Sequence, residues 1–255
     1  MNEKIFSRIE KKYLITSKEQ TALLKLIKKH MKKDNYFDSE IYNIYFDTEN
    51  YDLIIQSIDH PVFKEKLRAR SYGGYDKVFI EIKTKIRGLA YRKDLLEDDD
   101  IVKDNNLSYK RRVLLSHEDY NKLITGEANV KTLAAQLVEK GSDAQIAKEI
   151  DYMIEHFNLK PRILLYYNRE SYVNEDRLRV TFDTDVHYRD QDLEFTKKSN
   201  DQILLNDDKN IIMEIKAHGA MPLWLVRHLS TAHIYPTQFS KIGKAYELIR
   251  KEKNV

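Results

Sequence analysis

Five short ionic stretches recur along the chain: RIEKKY at 8–13, RAR at 68–70, EIK at 81–83, RLR at 177–179 and EIK at 214–216. In an extended strand alternate residues point to the same side. Each stretch therefore gathers its charges on one face, with Arg8, Glu10 and Lys12 sharing a side in the first. The bases at such alternating positions are Arg8, Lys12, Lys66, Arg68, Arg70, Lys83, Lys85, Lys110, Arg112, Arg169, Arg177, Arg179 and Lys216; the acids are only Glu10, Glu81 and Glu214. An arginine fork matches two phosphate oxygens, and lysine adds a mobile point charge. A few carboxylates amid many bases suit one or two divalent ions bridging phosphate oxygens.

Any one of these pairs taken alone is an ordinary solvated strand face. Five that line one interior would be a different matter, because an unpaired buried ion costs several kcal/mol. Such an interior implies a polyanionic ligand or acids from facing strands. Internal salt-bridge ladders on a sheet are a third reading, and the excess of bases argues against ladders as the whole account.

The bulk composition narrows the classes. The chain has 255 residues, 42% hydrophobic and 33% charged, enough for one large domain or two small ones. Lys+Arg is 44 and Asp+Glu is 41, a net charge of +3, so any polyanion site must concentrate its charge locally. There is no cysteine, which removes disulfides, thiolate nucleophiles and Cys-based zinc sites and is compatible with a cytoplasmic setting. No apolar run is long enough to span a membrane, and MNEKIFSRIEKKY lacks the apolar core of a signal peptide. P-loop, dinucleotide-binding and HExxH motifs are absent, the histidines are scattered, and the aromatics show no clear stacking pattern for nucleic acid.

The elements that must position these residues follow from periodicity. Strands are expected at 5–15, 41–48, 62–74, 76–86, 108–116, 162–173, 177–189 and 210–219, with a Gly-Gly turn joining the third and fourth. Ser17 with Gln20 reads as a capping box for a helix that buries Leu23, Leu24, Ile27 and Met31. The acidic stretch 95–106 reads as a loop, and 117–158 as a helical insertion with a Ser142/Gln145 cap and an Ile146, Ile150, Met153, Ile154, Phe157 stripe. The chain ends in helical pattern, with Trp224 expected in the core. The two halves echo weakly, YFDT, RAR and EIK in one and RLR, TFDT and EIK in the other. The expectation is a single α+β domain over 1–255, built on a closed or nearly closed antiparallel barrel.

The stretches RIEKKY, IYFDT, EKLRARSYG, FIEIKTK, YKRRVLLS, YYNRESYV, RLRVTFDTDV, IMEIK and QFSKIG together resemble the VTC-type polyphosphate polymerases of the triphosphate tunnel metalloenzyme (CYTH-like) superfamily. They run from residue 8 to 244. The resemblance implies an eight-stranded antiparallel tunnel with flanking helices. It implies ATP as phosphoryl donor, polyphosphate as product and Mn2+ or Mg2+ as cofactor. Carried over position by position, Lys12, Arg68, Arg70, Lys83, Arg169, Arg179 and Lys216 become phosphate-handling residues, and Glu214 the metal-binding acid; Glu10 and Glu81, the other acids of the ionic strand faces, are further metal candidates read from the sequence itself. Ser240 and Lys241 match the family's FSK element at a helix start, where backbone N–H groups favour phosphate. The lysine after the first E-x-K strand is placed at Lys110, with Arg92 as competitor; Gln238 stands where the family often has a base. In RIEKKY itself, Lys12 and Arg8 are read as facing phosphate, and Glu10 as facing metal or a neighbouring base.

The expected reaction is transfer of the ATP γ-phosphoryl group to a growing chain. The alternatives are a metal-dependent tripolyphosphatase or nucleoside triphosphatase on the same fold, and a non-catalytic polyphosphate or inositol-phosphate binding module. Nucleic acid is not an expected partner. A membrane protein would be a separate chain, which would place this one in the cytoplasm or at the membrane periphery.

Overall fold

The computed structural model describes residues 8–59, 62–73, 76–86, 107–135, 141–195 and 201–253. In chain order the elements are β1 (Arg8–Ile15), α1 (Ser17–His30), β2 (Lys32–Asp47), α2 (Asp52–Ile58), β3 (Phe63–Tyr72), β4 (Lys77–Ile86) and β5 (Leu107–Ser116). Then come α3 (His117–Thr125), α4 (Val130–Ala135), α5 (Gly141–His156), β6 (Lys160–Val173), β7 (Arg179–Arg189), β8 (Gln202–Ile203), β9 (Ile211–His218), α6 (Leu223–Thr231) and α7 (Lys241–Glu252). Eight strands pair in the order β1-β9-β7-β6-β2-β3-β4-β5, and the two-residue β8 pairs with β7 off this path. This is the expected α+β fold, an eight-strand antiparallel set with flanking helices; among the described residues the pairing runs as an open path from β1 to β5. The expected helical stretch is α3 to α5.

The chain packs as two compact units. The first comprises Met1–Ile41, Leu165–Tyr188 and Asn200–Lys244; the second comprises Tyr42–Leu164, Arg189–Ser199 and Ala245–Val255. In the first, strand alternation divides β1, β7 and β9 into two chemistries. Tyr13 and Ile15, Val180 and Phe182, and Met213, Ile215 and Ala217 are buried in one core cluster with Leu23 and Ile27 of α1 and Leu225 and Leu229 of α6. Trp224 packs against that cluster from a partly buried position. The opposite face of the same strands carries Glu10, Lys12, Arg179, Asp183, Glu214 and Lys216.

The second unit repeats the device. Leu67 and Ala69 of β3, Val78, Ile80 and Ile82 of β4, and Val113 and Leu115 of β5 are all buried. The same region holds Tyr120 of α3, Val130 and Leu133 of α4, and Ala147 and Ile150 of α5, which are buried as well. The other face of these strands is ionic.

Several local expectations are corrected. The cap of α1 sits one residue earlier than expected: Thr16 Oγ1 accepts from the Glu19 N–H at 3.2 Å, and Glu19 Oε2 accepts from the Thr16 N–H at 2.7 Å, so Ser17 is the first helical residue. β2 begins at Lys32 rather than 41. Arg177 is not on the β7 face, since it precedes the strand in an exposed turn at φ +59°. α5 ends at His156, which leaves Phe157 beyond the stripe and 43% exposed. The acidic stretch 95–106 and the Ser142 cap lie outside the described residues and side chains.

Candidate functional site

The two EIK stretches occupy equivalent stations, each on the central strand of a three-strand ionic face. In the second unit β4 lies between β3 and β5. Register places Arg68, Glu81 and Arg112 side by side in one row, and Lys66, Lys83 and Lys110 in the next. In the first unit β9 lies between β1 and β7. There one row is Glu10, Lys216 and Arg179, and the next is Lys12, Glu214 and Thr181.

Glu81 is fully buried, and cations surround it. Arg68 donates to its Oε2 from Nη2 at 2.7 Å and from Nε at 2.9 Å. Arg70 Nε lies 4.0 Å from the same oxygen, while Lys110 Nζ and Arg112 Nη1 approach Oε1 at 3.3 and 3.9 Å. Burial alone would raise its pKa, but Arg68, Arg70 and Lys110 hold it below the ordinary carboxylate value. Arg70 also donates from Nε to Asn43 Oδ1 at 2.8 Å and from Nη1 to the Tyr72 hydroxyl at 3.3 Å. Lys83 and Lys110 are exposed at the surface of this face. Arg92, the competitor of Lys110, lies outside the described residues.

Asp183 plays the matching part in the first unit. It is fully buried, accepts from Arg169 Nε at 2.6 Å and Nη2 at 2.8 Å, and is paired with Lys241, the first residue of α7. Burial pushes its carboxyl up, and Lys241 and Arg169 together carry it below its usual range. Burial would lower Arg169, yet Tyr167 and Asp183 raise it. The Lys241 ammonium lies 4.5 Å from the Tyr167 ring centroid. Ser240 caps the same helix start, its Oγ accepting from the Gly243 N–H at 3.2 Å. Lys12 ties β1 to this segment: Nζ donates to the Phe239 carbonyl at 3.0 Å, and its own carbonyl accepts from the Thr237 N–H at 2.8 Å. Arg179 is held from β2 and β6, by Asp34 Oδ2 at 3.0 Å from Nη2 and by Ser171 Oγ at 2.9 Å from Nε. Arg8 is the first residue of β1, opposite His218, and Gln238 is exposed.

Glu214 differs from Glu81 in its neighbours. Lys216 Nζ lies 2.7 Å from Glu214 and 3.8 Å from Glu10. Burial would raise the Glu214 carboxyl, but Lys216, a hydrogen bond with Glu10 and the charge of Lys12 hold it well below the usual range. Glu10 and Glu214 both approach the Lys216 ammonium, and two neighbouring carboxylates are a donor pair of the kind a hard divalent cation uses. Among the described residues no group of three His, Asp or Glu could hold a metal with protein ligands alone. Glu10 and Glu214 are oxygen donors of the type Mg2+ or Mn2+ takes, and such an ion would need ligands from outside these two side chains. Glu81, expected beside them, does not fit: both its oxygens face cations.

The second unit thus groups Arg68, Arg70, Glu81, Lys83 and Lys110, and the first groups Glu10, Lys12, Arg179, Glu214 and Lys216, with Arg169 and Lys241 joined at Asp183. Asp183, Asp34, Ser171, Asn43, Tyr72 and Tyr45, whose hydroxyl accepts from Arg68 Nη1 at 3.5 Å, were not among the expected site residues.

Comparison with known sequences decides the family. The VTC domain profile matches residues 7–250. The chain belongs to the VTC domain family. A relative, vacuolar transporter chaperone complex subunit 4 of Schizosaccharomyces pombe, is 24% identical over 201 residues, which are 71% of this chain and 26% of that protein. The VTC domain described here thus matches only about a quarter of that relative's length. Among solved structures, a protein of Pyrococcus horikoshii aligns at 12% identity and TM-score 0.45 over 94% of this chain and 99% of its own. A Hippeastrum protein, named as an adenylyl cyclase and described as having a dominant triphosphatase activity, aligns at 14% identity and TM-score 0.47 over 92% and 93%. Among the described residues no helix is long and apolar enough to cross a membrane.

Proposed function

We propose that this VTC domain is a polyphosphate polymerase that moves the γ-phosphoryl group of ATP onto a growing polyphosphate chain. The observation that carries the reading is family membership over residues 7–250, on strands whose ionic faces are each centred on an E-I-K triplet among arginines and lysines.

Lys12, Arg68, Arg70, Lys83, Lys110, Arg169, Arg179 and Lys216 are assigned to phosphate oxygens, with Arg8, Ser240 and Lys241 as further substrate contacts. Glu214 and Glu10 would hold Mn2+ or Mg2+, which when bound polarises phosphoryl oxygens and offsets their charge. An oxygen of the chain's terminal phosphate forms a new bond to the γ-phosphorus as the bond to the β-phosphate oxygen breaks, and ADP leaves with that electron pair. The attacking oxygen is already ionised near neutral pH, so no strong general base is required. The loose transition state leaves positioning and charge stabilisation as the protein's main contribution. The arginine forks do the positioning, and Glu81 and Asp183 hold those forks in place.

The named relative is a subunit of a transporter chaperone complex. A complex of that kind is the setting proposed for this domain, with passage of product across a membrane left to another chain.

The test is incubation of the purified protein with ATP and Mn2+ followed by 31P NMR. ADP with a new internal-phosphate resonance is the expected result. ADP with orthophosphate alone would make the protein a triphosphatase, and unchanged ATP across a series of metals would leave a binding module.

A further inference from the structure

Two stretches of the first unit contain no acid, in a chain with 41 of them. One runs from Gln20 to Lys33 and carries Lys25, Lys28, Lys29, Lys32 and Lys33; the other lies between Glu214 and Glu247 and carries Arg227. The fold packs the two together. The His30 ring at the end of α1 stacks on Trp224 in the first turn of α6, with centroids 4.5 Å apart and planes within 14° of parallel. Leu23 and Ile27 of α1 and Leu225 and Leu229 of α6 share one buried cluster. The five lysines and Arg227 are all exposed. The acids that bound the lysine stretch are engaged elsewhere, Glu19 with the Thr16 N–H and Asp34 with Arg179 and Ser171. Next to the His30–Trp224 stack, Leu223 is 68% exposed and Val226 39%. Lysines in the last turn of a helix complement its dipole, which accounts for Lys28 and Lys29. It accounts neither for Lys25, a turn earlier, nor for a leucine left two-thirds exposed.

We infer that the end of α1 and the start of α6 form a docking face for an anionic lipid surface, with the lysines meeting headgroups and Leu223 and Val226 entering the boundary of the acyl region. Clustered cations beside exposed apolar side chains and a tryptophan are the composition of segments that lie in a membrane interface. A soluble polyanion would use the cations and leave Leu223 in water. An apolar protein surface would cover Leu223 and strip water from the lysines at a cost. An anionic bilayer engages both groups. α1 and α6 cover the apolar side of β1, β7 and β9, so lipid contact here leaves the ionic side of those strands open. The inference concerns a surface separate from the phosphate-handling residues and does not depend on the reaction assigned to them.

The test is co-sedimentation of the intact chain, at constant ionic strength, with vesicles of phosphatidylcholine alone or mixed with phosphatidylserine. Each basic residue held at an anionic surface is worth about fivefold in partitioning. The wild-type protein is expected to sediment with the mixed vesicles and to stay in solution with phosphatidylcholine alone. The double variant Lys28→Gln/Lys29→Gln should weaken binding to the mixed vesicles about thirtyfold, and Leu223→Ser about threefold. Lys148→Gln, which removes an exposed charge from α5 in the other unit, should leave binding unchanged. Wild-type protein that ignores the mixed vesicles, or a lysine double variant that sediments as well as wild type, would overturn the docking face. Loss of binding in the lysine variant with none in Leu223→Ser would make the patch a site for soluble polyanions and overturn the lipid assignment. Each of these outcomes leaves the 31P NMR test of ATP turnover untouched.

Discussion

Arg68 donates two hydrogen bonds to a single oxygen of Glu81, at 2.9 and 2.7 Å, and the carboxylate beneath it is fully buried. The two residues face each other across the β3–β4 register. A carboxylate in this position fixes the guanidinium plane before any ligand arrives, which would lower the ordering cost of binding the phosphate proposed for Arg68.

Glu81→Gln keeps the shape and removes the charge that balances Arg68, Arg70, Lys110 and Arg112. Breaking a buried pair from one side typically costs about 3 kcal/mol, so urea denaturation should show a loss of that order. The pH dependence has a definite sign. Cations depress the Glu81 pKa in the folded state, so its stabilisation is present above the ordinary value of 4.5 and is lost as pH falls through the depressed one. Wild-type stability should decline on acidification in that window, and the variant should decline less. Equal acid sensitivity of the two proteins would place the stabilising carboxylate elsewhere.

Asp183 offers a test of coupling. It holds Arg169 from β6 and Lys241 from the start of α7, and both cations are assigned to phosphate. Single variants Asp183→Asn and Lys241→Met and their double variant form a thermodynamic cycle. An interaction energy of about 1–3 kcal/mol is expected from thermal or urea unfolding. Additive effects would show that Lys241 is held by other contacts, and Asp183 would then lose its role as the anchor of α7.

Thr16→Ala separates folding from chemistry. The Thr16–Glu19 capping box closes the start of α1, away from the ionic strand faces. Its loss should lower stability by about 1 kcal/mol in urea denaturation and leave the proposed ATP turnover, followed by 31P NMR on the folded protein, at the wild-type level.

The ionic faces were legible because a strand has period two, and RAR and EIK display that period without help from distant residues. The burial of Leu67, Ala69, Ile80 and Ile82 on the reverse side is the same alternation seen from behind. What a charge is for was not legible. YFDT and TFDT look alike, yet Asp47 accepts N–H groups from Leu53 and Ile54 at the start of α2, whereas Asp183 binds Arg169 and Lys241. Lys241 is 58 residues from Asp183, and Ser171 is 137 residues from its partner Asp34, separations over which local pattern carries no information. Glu81 was read with the metal acids because it shares the E-x-K pattern of Glu214. Cross-strand register separates them, since it sets arginines on both sides of one and leaves Glu10 to join the other. The helix cap moved by one residue because Thr16 and Ser17 are both competent caps, and only Thr16 has a Glu at the third following position.

Tyr45 supplies the pH-dependent prediction for ligand binding. Its hydroxyl accepts a hydrogen bond from Arg68 Nη1 at 3.5 Å, and Lys66 and Arg70 act on it from the same strand. Burial would raise its pKa, but the three cations outweigh that and bring it down to about 8. Below that value the neutral hydroxyl can donate to a phosphate oxygen; above it the phenolate adds a negative charge among the cations that would hold the anion. Lysine and arginine keep their charge through this range. Tripolyphosphate affinity should therefore fall as pH rises through about 8, and Tyr45→Phe should remove that step while leaving some binding at lower pH. The check is calorimetric titration of both proteins across the window, with tyrosinate absorbance followed in parallel. A step that persists in Tyr45→Phe, or a phenol that titrates with no change in affinity, would detach Tyr45 from the bound anion and confine it to orienting Arg68.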